Sequence, residues 1–189
     1  MNQFWQYWAG GVDEYLLDAI IERGDTYPAV EAGLGFDGST PNDQYRSSEI
    51  RWIPPGISEN RFIPDLLWYF VRIANRDAFG FHVDHLNDLQ YTTYHGSDGG
   101  KYDWHTDTFW ANPSTYDRKL SVVIQLSEPD EYEGGEFQLD PQTPQPDPVD
   151  LRKRGTIIVF PSFLRHRVTP VTSGTRKSLV AWVEGPKFR

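Results

Sequence analysis

Cysteine is absent from the chain, which excludes disulfides, thiolate-ligated zinc and thiol nucleophiles. That absence fits a reducing compartment, and a cytoplasmic protein is the expectation. Positive charge is also scarce: 18 Lys and Arg stand against 27 Asp and Glu, a formal net charge of -9. Nucleic acid and anionic membrane surfaces call for a basic footprint, so neither is an expected partner. No apolar run approaches the length needed to cross a bilayer. The opening Met1-Asn2-Gln3-Phe4-Trp5 has no basic region followed by an apolar stretch, so no signal peptide is expected. Aromatics, by contrast, are plentiful, with 7 Trp, 10 Tyr and 11 Phe in 189 residues. They allow a chain of this length a substantial core although Val, Ile and Leu are not dense.

The expected organisation is one domain over residues 1–189, a helical support region (1–78) followed by a β core (79–189). Residues 2–9 are aromatic and read as an edge strand or a cap. Val12, Tyr15, Leu16, Ala19 and Ile20 recur at helical spacing, with Gly24 as the expected stop. Residues 24–45 read as loop with room for one short strand, and 46–53 as one strand ending at Pro54-Pro55-Gly56. A second helix places Ile63, Leu66, Leu67, Phe70, Val71 and Ala74 on one face, with Pro64 in its first turn and Asn75 at its end. From Phe79 the period becomes alternating. Strands are expected near 79–84, 88–95, 101–107, 119–126, 135–139, 155–160, 165–171 and 176–183. A mostly β sandwich or jelly roll, covered on one face by the helices, is the predicted fold class. The Pro-rich stretch 141–148 reads as an extended loop, Arg152-Lys153-Arg154 as a solvated turn, and Gly134-Gly135 as a hairpin turn.

The stretch from Lys101 to Asp107 alternates aromatic and polar residues after a Gly-rich turn. In a strand, His105 and Asp107 share a face and Thr106 lies on the other. An imidazole and a carboxylate so placed are two thirds of the 2-His-1-carboxylate set that holds non-haem Fe(II) and leaves positions open. His82-Val83-Asp84 has the same spacing, but its apolar neighbours lie on the opposite face, so a solvated pair is the better reading there. For the third ligand His166, after the buried 155–160 strand, is the candidate. A core histidine bonded to a backbone carbonyl is the alternative reading, and His95 and His85 are competitors. Farther on, Arg176, Ser178, Val180 and Trp182 share a strand face. A guanidinium on an apolar face needs a partner, and a dicarboxylic co-substrate, one end on the metal and the other on Arg176, would supply it.

These residues carry a resemblance. Tyr102-x-x-His105-x-Asp107, then 166–171 and Arg176, with 120–127, 132–137 and Phe160-Pro161-Ser162, resemble the Fe(II)/2-oxoglutarate-dependent oxygenase superfamily. The likeness runs from about Leu89 to Pro186 and is greatest to the prolyl 4-hydroxylase-like branch, which includes the bacterial and phage PKHD-type hydroxylases. It implies a double-stranded β-helix with Fe(II) held by His105, Asp107 and His166. It implies Arg176 on the distal carboxylate of 2-oxoglutarate, with Tyr94 beside the co-substrate and Gln125 where some relatives have a tyrosine. Tyr102 and Trp182 match aromatics that flank the target proline ring, and Arg46 falls near the substrate-side strands. The implied reaction uses O2, with ascorbate as a reductant, converts 2-oxoglutarate to succinate and CO2, and hydroxylates an unactivated C–H bond.

Three functions follow as expectations: a prolyl 4-hydroxylase acting on peptidyl proline, a hydroxylase of a free amino acid or other small molecule, and a non-catalytic jelly-roll binding module. Loops 33–48 and 108–117 would decide between a closed site and a groove. The Pro-rich loop 141–148 is a conceivable self-substrate.

Overall fold

Strands outnumber helices in the computed structural model, which describes residues 3–33 and 44–188. In chain order its elements begin with β1 (Gln6–Trp8), α1 (Glu14–Asp25), β2 (Val30–Glu31), β3 (Arg46–Ser47), β4 (Glu49–Ile53) and α2 (Phe62–Ala74). They continue with β5 (His85–His95), β6 (Lys101–His105), β7 (Tyr116–Gln125), β8 (Tyr132–Gly134) and β9 (Phe137–Leu139). The last are α3 (Pro148–Arg152), β10 (Ile157–Pro161), β11 (His166–Val168) and β12 (Val171–Pro186). The expected 24–45 loop and the 33–48 closing loop fall partly on residues 34–43, which lie outside the described residues.

One sheet has the order β1-β10-β7-β12-β5-β4-β2, with β8 also paired to β12, and the other has the order β3-β6-β11-β9. Every described pairing is antiparallel. The sheets face each other as a double-stranded β-helix, and side chains from both meet between them, Phe160 with Leu139 and Tyr94 with Val168. Period-two alternation divides the large sheet into two faces. Leu120, Val122 and Ile124 of β7, with Leu179, Ala181 and Val183 of β12, pack on Leu17, Ile20, Ile63, Leu67, Phe70 and Val71 of the helices. The intervening residues of the same strands face the second sheet. The main apolar core therefore lies behind the large sheet, and the space between the sheets is left for polar side chains. Among the described residues no helix is long and apolar enough to cross a membrane.

Several boundaries differ from the sequence expectation for identifiable reasons. No strand forms over 79–84. A π-turn covers Asn75–Phe79 and ends on Gly80 at φ 67°. The Asn75 side chain then bonds Phe81 on both sides, with Nδ2 donating to Phe81 O and Phe81 N donating to Oδ1, each at 2.8 Å. That amide takes the place of a neighbouring strand. Gly24 does not stop α1, which runs to Asp25. A Cβ at Gly24 would come within 2.7 Å of the Tyr91 ring, so the residue is small because Tyr91 packs against it. The single strand expected over 46–53 is two, β3 in one sheet and β4 in the other, with Ser48 at the crossing. Likewise Gly134-Gly135 is not a hairpin turn. β8 pairs with β12 and β9 with β11, so the chain changes sheets there, with both glycines at positive φ. Arg152 is not solvated either: α3 aims it at the carbonyls of Gly134, Pro129 and Tyr132.

Candidate metal centre and its cavity

His105 ends β6 and His166 opens β11, and the two are paired in register across the small sheet. Their ring centroids are 4.1 Å apart. Asp107 lies beyond the end of β6, not within it as expected, in a bend fixed by the turn that follows β10. The backbone N–H groups of Asp107 and Thr108 both donate to Ser162 O, at 2.8 and 3.1 Å. Ser121 Oγ donates to Asp107 Oδ2 at 2.6 Å and lies 2.9 Å from Ser162 Oγ. His105 Nε2 is 3.7 Å from Asp107 Oδ1, and His166 Nε2 is 3.4 Å from Asp107 Oδ2. One ligand atom from each of the three residues lies within 4.8 Å of the others, a spacing that one small cation can bridge.

The protonation pattern suits a cation. His105 Nδ1 is 2.7 Å from Asp103 O, and His166 Nδ1 is 2.9 Å from Leu164 O. A carbonyl can only accept, so in each ring Nδ1 carries the proton and Nε2 turns its lone pair to the shared point. Burial, and after it the facing His166, hold His105 down to about 3, which keeps it neutral near pH 7. Burial alone would raise Asp107. His166, His105, Arg118 and the Ser121 hydroxyl outweigh it and hold the carboxyl at about 2. The result is a neutral His105 imidazole and an ionised Asp107 carboxylate converging with His166 in a buried place.

A cavity of about 620 Å³ opens from this point between the sheets. Arg176, Ser178, Val180 and Trp182, alternate residues of β12, all line it. Arg176 is 3% exposed, and its Nη1 is buried with no hydrogen-bond partner among the described residues. Tyr94, opposite Arg176 in the β5–β12 register, lies with its ring centroid 5.5 Å from the guanidinium. Burial raises the Tyr94 pKa, so its hydroxyl keeps a proton to donate. An unpartnered guanidinium, a phenol and the three convergent ligand atoms in one cavity fit a metal-chelated diacid. Gln125 does not share this cavity. Its amide nitrogen turns behind the wall to Ser127 O at 3.2 Å and Tyr132 Oη at 3.0 Å. Gly135 makes room for Arg176, since a Cβ there would lie 3.0 Å from Arg176 Cδ.

Tyr102, Trp182 and Arg46 also line the cavity, though not as alternation alone predicts. A bulge shifts the β6–β11 register between Tyr102 and His105. It puts both rings on one side, stacked 3.4 Å apart at 12°. The Arg46 guanidinium covers Tyr102 at 4.3 Å from the ring centroid. Two groups this close cannot share one face, so both faces of Tyr102 are taken, and its edge and hydroxyl are left for a ligand. Arg118 covers one face of Trp182 at 3.8 Å, and the buried Trp182 Nε1 has no hydrogen-bond partner among the described residues.

The remaining histidines lie elsewhere. His82 pairs with Asp84 at 2.9 Å on the surface, His85 with Glu184 at 3.2 Å, and His95 Nδ1 sits 3.5 Å from Thr175 Oγ1. Sequence reasoning did not pick out Ser121, Ser162, Arg118 or Gln90. For Ser121 a signal existed: a small hydroxyl inside an apolar strand needs a bonding partner.

A family model described as the 2OG-Fe(II) oxygenase superfamily matches residues 89–184. A PKHD-type hydroxylase of Parvibaculum lavamentivorans is 30% identical to the chain over 92% of it and 74% of the relative. Another, from a Synechococcus strain, is 38% identical over 45% of the chain and 37% of the relative. The chain thus spans well under half the length of several curated relatives it matches. Among solved structures, a Pseudomonas putida prolyl-4-hydroxylase superposes with a TM-score of 0.72 at 21% identity, covering 98% of this chain and 94% of that one. At that identity the likeness shows the fold alone.

Proposed function

The chain belongs to the 2OG-Fe(II) oxygenase superfamily, and from that membership we propose that it is an Fe(II)- and 2-oxoglutarate-dependent hydroxylase whose substrate is a proline residue in a peptide or protein. The observation that carries the reading is Arg176. A buried guanidinium with no counter-ion among the described residues faces the same cavity as three convergent metal-ligand atoms. 2-Oxoglutarate has two carboxylates and satisfies both ends. In this reading His105, Asp107 and His166 hold the metal.

Bound there, Fe(II) supplies the oxygen-activating chemistry that couples decarboxylation of 2-oxoglutarate to C–H hydroxylation. The chain's residues do the rest. The Asp103 and Leu164 carbonyls hold both imidazoles as Nδ1–H tautomers with Nε2 free to ligate. Ser121 and the backbone around Ser162 fix the Asp107 carboxylate. Arg176 and the Tyr94 hydroxyl take the distal carboxylate of the diacid. The Tyr102 edge, the Trp182 indole and Val180 wall the space beside the metal and exclude water. Proline is favoured by the PKHD-type and prolyl-hydroxylase likenesses together with these aromatic walls.

The test is incubation with Fe(II), 2-oxoglutarate, ascorbate and a panel of proline-containing peptides, read by mass spectrometry. A gain of one oxygen located on proline supports the reading. Succinate formation with no oxidised peptide removes the proline substrate, and no succinate under any condition removes the hydroxylase.

A further inference from the structure

Matching charges around the cavity leaves one cation over. Three guanidinium groups reach it, those of Arg46, Arg118 and Arg176. Arg118 faces Asp88 Oδ2 at 4.0 Å. Arg176 is answered by the diacid of the proposed reaction. Among the described residues Arg46 is answered by nothing charged. It is 8% exposed, its Nε donates to Ser48 Oγ at 3.1 Å and its Nη2 to Gln90 Oε1 at 2.9 Å, and both acceptors are neutral. Among the described residues no carboxylate pairs with it, and its Nη1 has no partner. A guanidinium keeps its charge at any relevant pH, and an unpaired buried charge is costly. Stacking on Tyr102 offsets part of that cost. The position is also fixed: Arg46 is opposite Tyr102 in the β3–β6 register, and Gln90 Oε1 accepts in turn from Thr92 Oγ1. Tyr102 rests on the His105 ring, so Arg46 stands one stacked ring from a metal ligand. An anion held by its free edge lies beside the reacting centre.

We infer that Arg46 is a specificity residue that binds a carboxylate of the primary substrate, so that the group oxidised is neighbour to an anion. Two sources carry that chemistry, a free α-carboxylate and an acidic side chain next to the target. The inference rests on the proposed function, because it takes this cavity as the substrate chamber of that hydroxylase. The guanidinium fork matches two carboxylate oxygens, whereas a neutral amide offers it one acceptor and no charge.

Calorimetric titration of the Fe(II)- and 2-oxoglutarate-loaded protein under argon tests this without turnover. The probes are N-acetylglycylproline and N-acetylglycylalanine, each as the C-terminal acid and as the amide, with N-acetylaspartylproline amide as the side-chain arm. The wild-type protein binds an acid, or the aspartyl probe, at least about tenfold more tightly than the matching neutral amide, as a charge-assisted hydrogen bond implies. Whichever arm gains identifies the source. Arg46→Gln reduces that ratio to within about twofold of unity and leaves 2-oxoglutarate affinity unchanged, and Arg46→Lys gives an intermediate ratio. Equal binding of acidic and neutral probes by the wild type overturns the inference. So does an Arg46→Gln protein that keeps the acid preference but loses 2-oxoglutarate affinity, since Arg46 then serves the co-substrate. An acid preference shared equally by the proline and alanine probes leaves the inference standing and defeats the proline substrate instead, so the two failures are distinct.

Discussion

The two ends of the cavity are built on opposite plans. At the metal end each polar group is held: both Nδ1 atoms donate to carbonyls, and Asp107 accepts from Ser121 and is pinned through its backbone to Ser162. Elsewhere in the cavity Arg176 Nη1 and Trp182 Nε1 are buried without hydrogen-bond partners among the described residues, and Arg46 has only neutral partners there. The first plan orients ligands before a cation arrives. The second leaves donors whose desolvation is repaid only when an organic anion or carbonyl enters. Residues of the first kind should matter to metal affinity, whereas those of the second should matter to co-substrate and substrate and should cost stability while the cavity is empty.

Substitutions separate the two plans, and the ligands give the largest effect. Replacing Asp107 or His166 with Ala should lower metal affinity by more than about a hundredfold, beyond what loss of a supporting partner costs. Metal content after dialysis and succinate formation should fall together, and full metal retention would break the comparison. Next, Arg176→Met should weaken 2-oxoglutarate binding by about ten- to a hundredfold through loss of a bidentate charged contact. The same change should raise the unfolding free energy of the empty protein by about 1 kcal/mol, because an unpaired buried charge is removed. Metal stoichiometry should not change. Ser121→Ala should have a smaller effect, about tenfold in metal affinity, since it frees one carboxylate oxygen and spares every ligand.

A separate effect is that of pH on the metal-free protein. His105 sits at about 3 when folded against the ordinary 6.5, and Asp107 at about 2 against 3.8. Both folded values are depressed, so between these limits the unfolded chain binds more protons than the folded one. Their stabilisation is complete above about pH 6.5 and is lost as pH falls towards the folded values. Thermal unfolding in chelator should show a lower midpoint at pH 5 than at pH 7, and His105→Gln should flatten that slope.

Much of this arrangement was legible because β12 alternates strictly from Arg176 to Val183. Strict alternation there sends Arg176, Ser178, Val180 and Trp182 to the cavity and Leu179, Ala181 and Val183 to the helices. Alternation fails where the backbone departs from it. The β6 bulge carries Tyr102 to the side of His105, and no residue in 101–105 announces a bulge. Phe79, Phe81 and Val83 alternate like a strand, yet Asn75 binds the backbone of Phe81 and leaves no free edge to pair. Gln125 was placed by resemblance alone, and a side chain's turn towards Ser127 and Tyr132 depends on partners distant from its own strand's pattern. The supports of Asp107 come from β7 and from the turn after β10, a meeting set by sheet pairing that no local motif encodes.

Anaerobic titration of 2-oxoglutarate into the Fe(II)-loaded protein, in the wild type and in the His166→Ala, Arg176→Met and doubly substituted forms, tests the shared cavity most directly. If metal and guanidinium grip opposite ends of one molecule, the wild type binds one diacid per chain. Each single change then weakens it at least about tenfold, and the double change adds less than the sum of the two, as expected for groups acting on one ligand. Undiminished 2-oxoglutarate affinity in the Arg176→Met or His166→Ala protein would contradict the account.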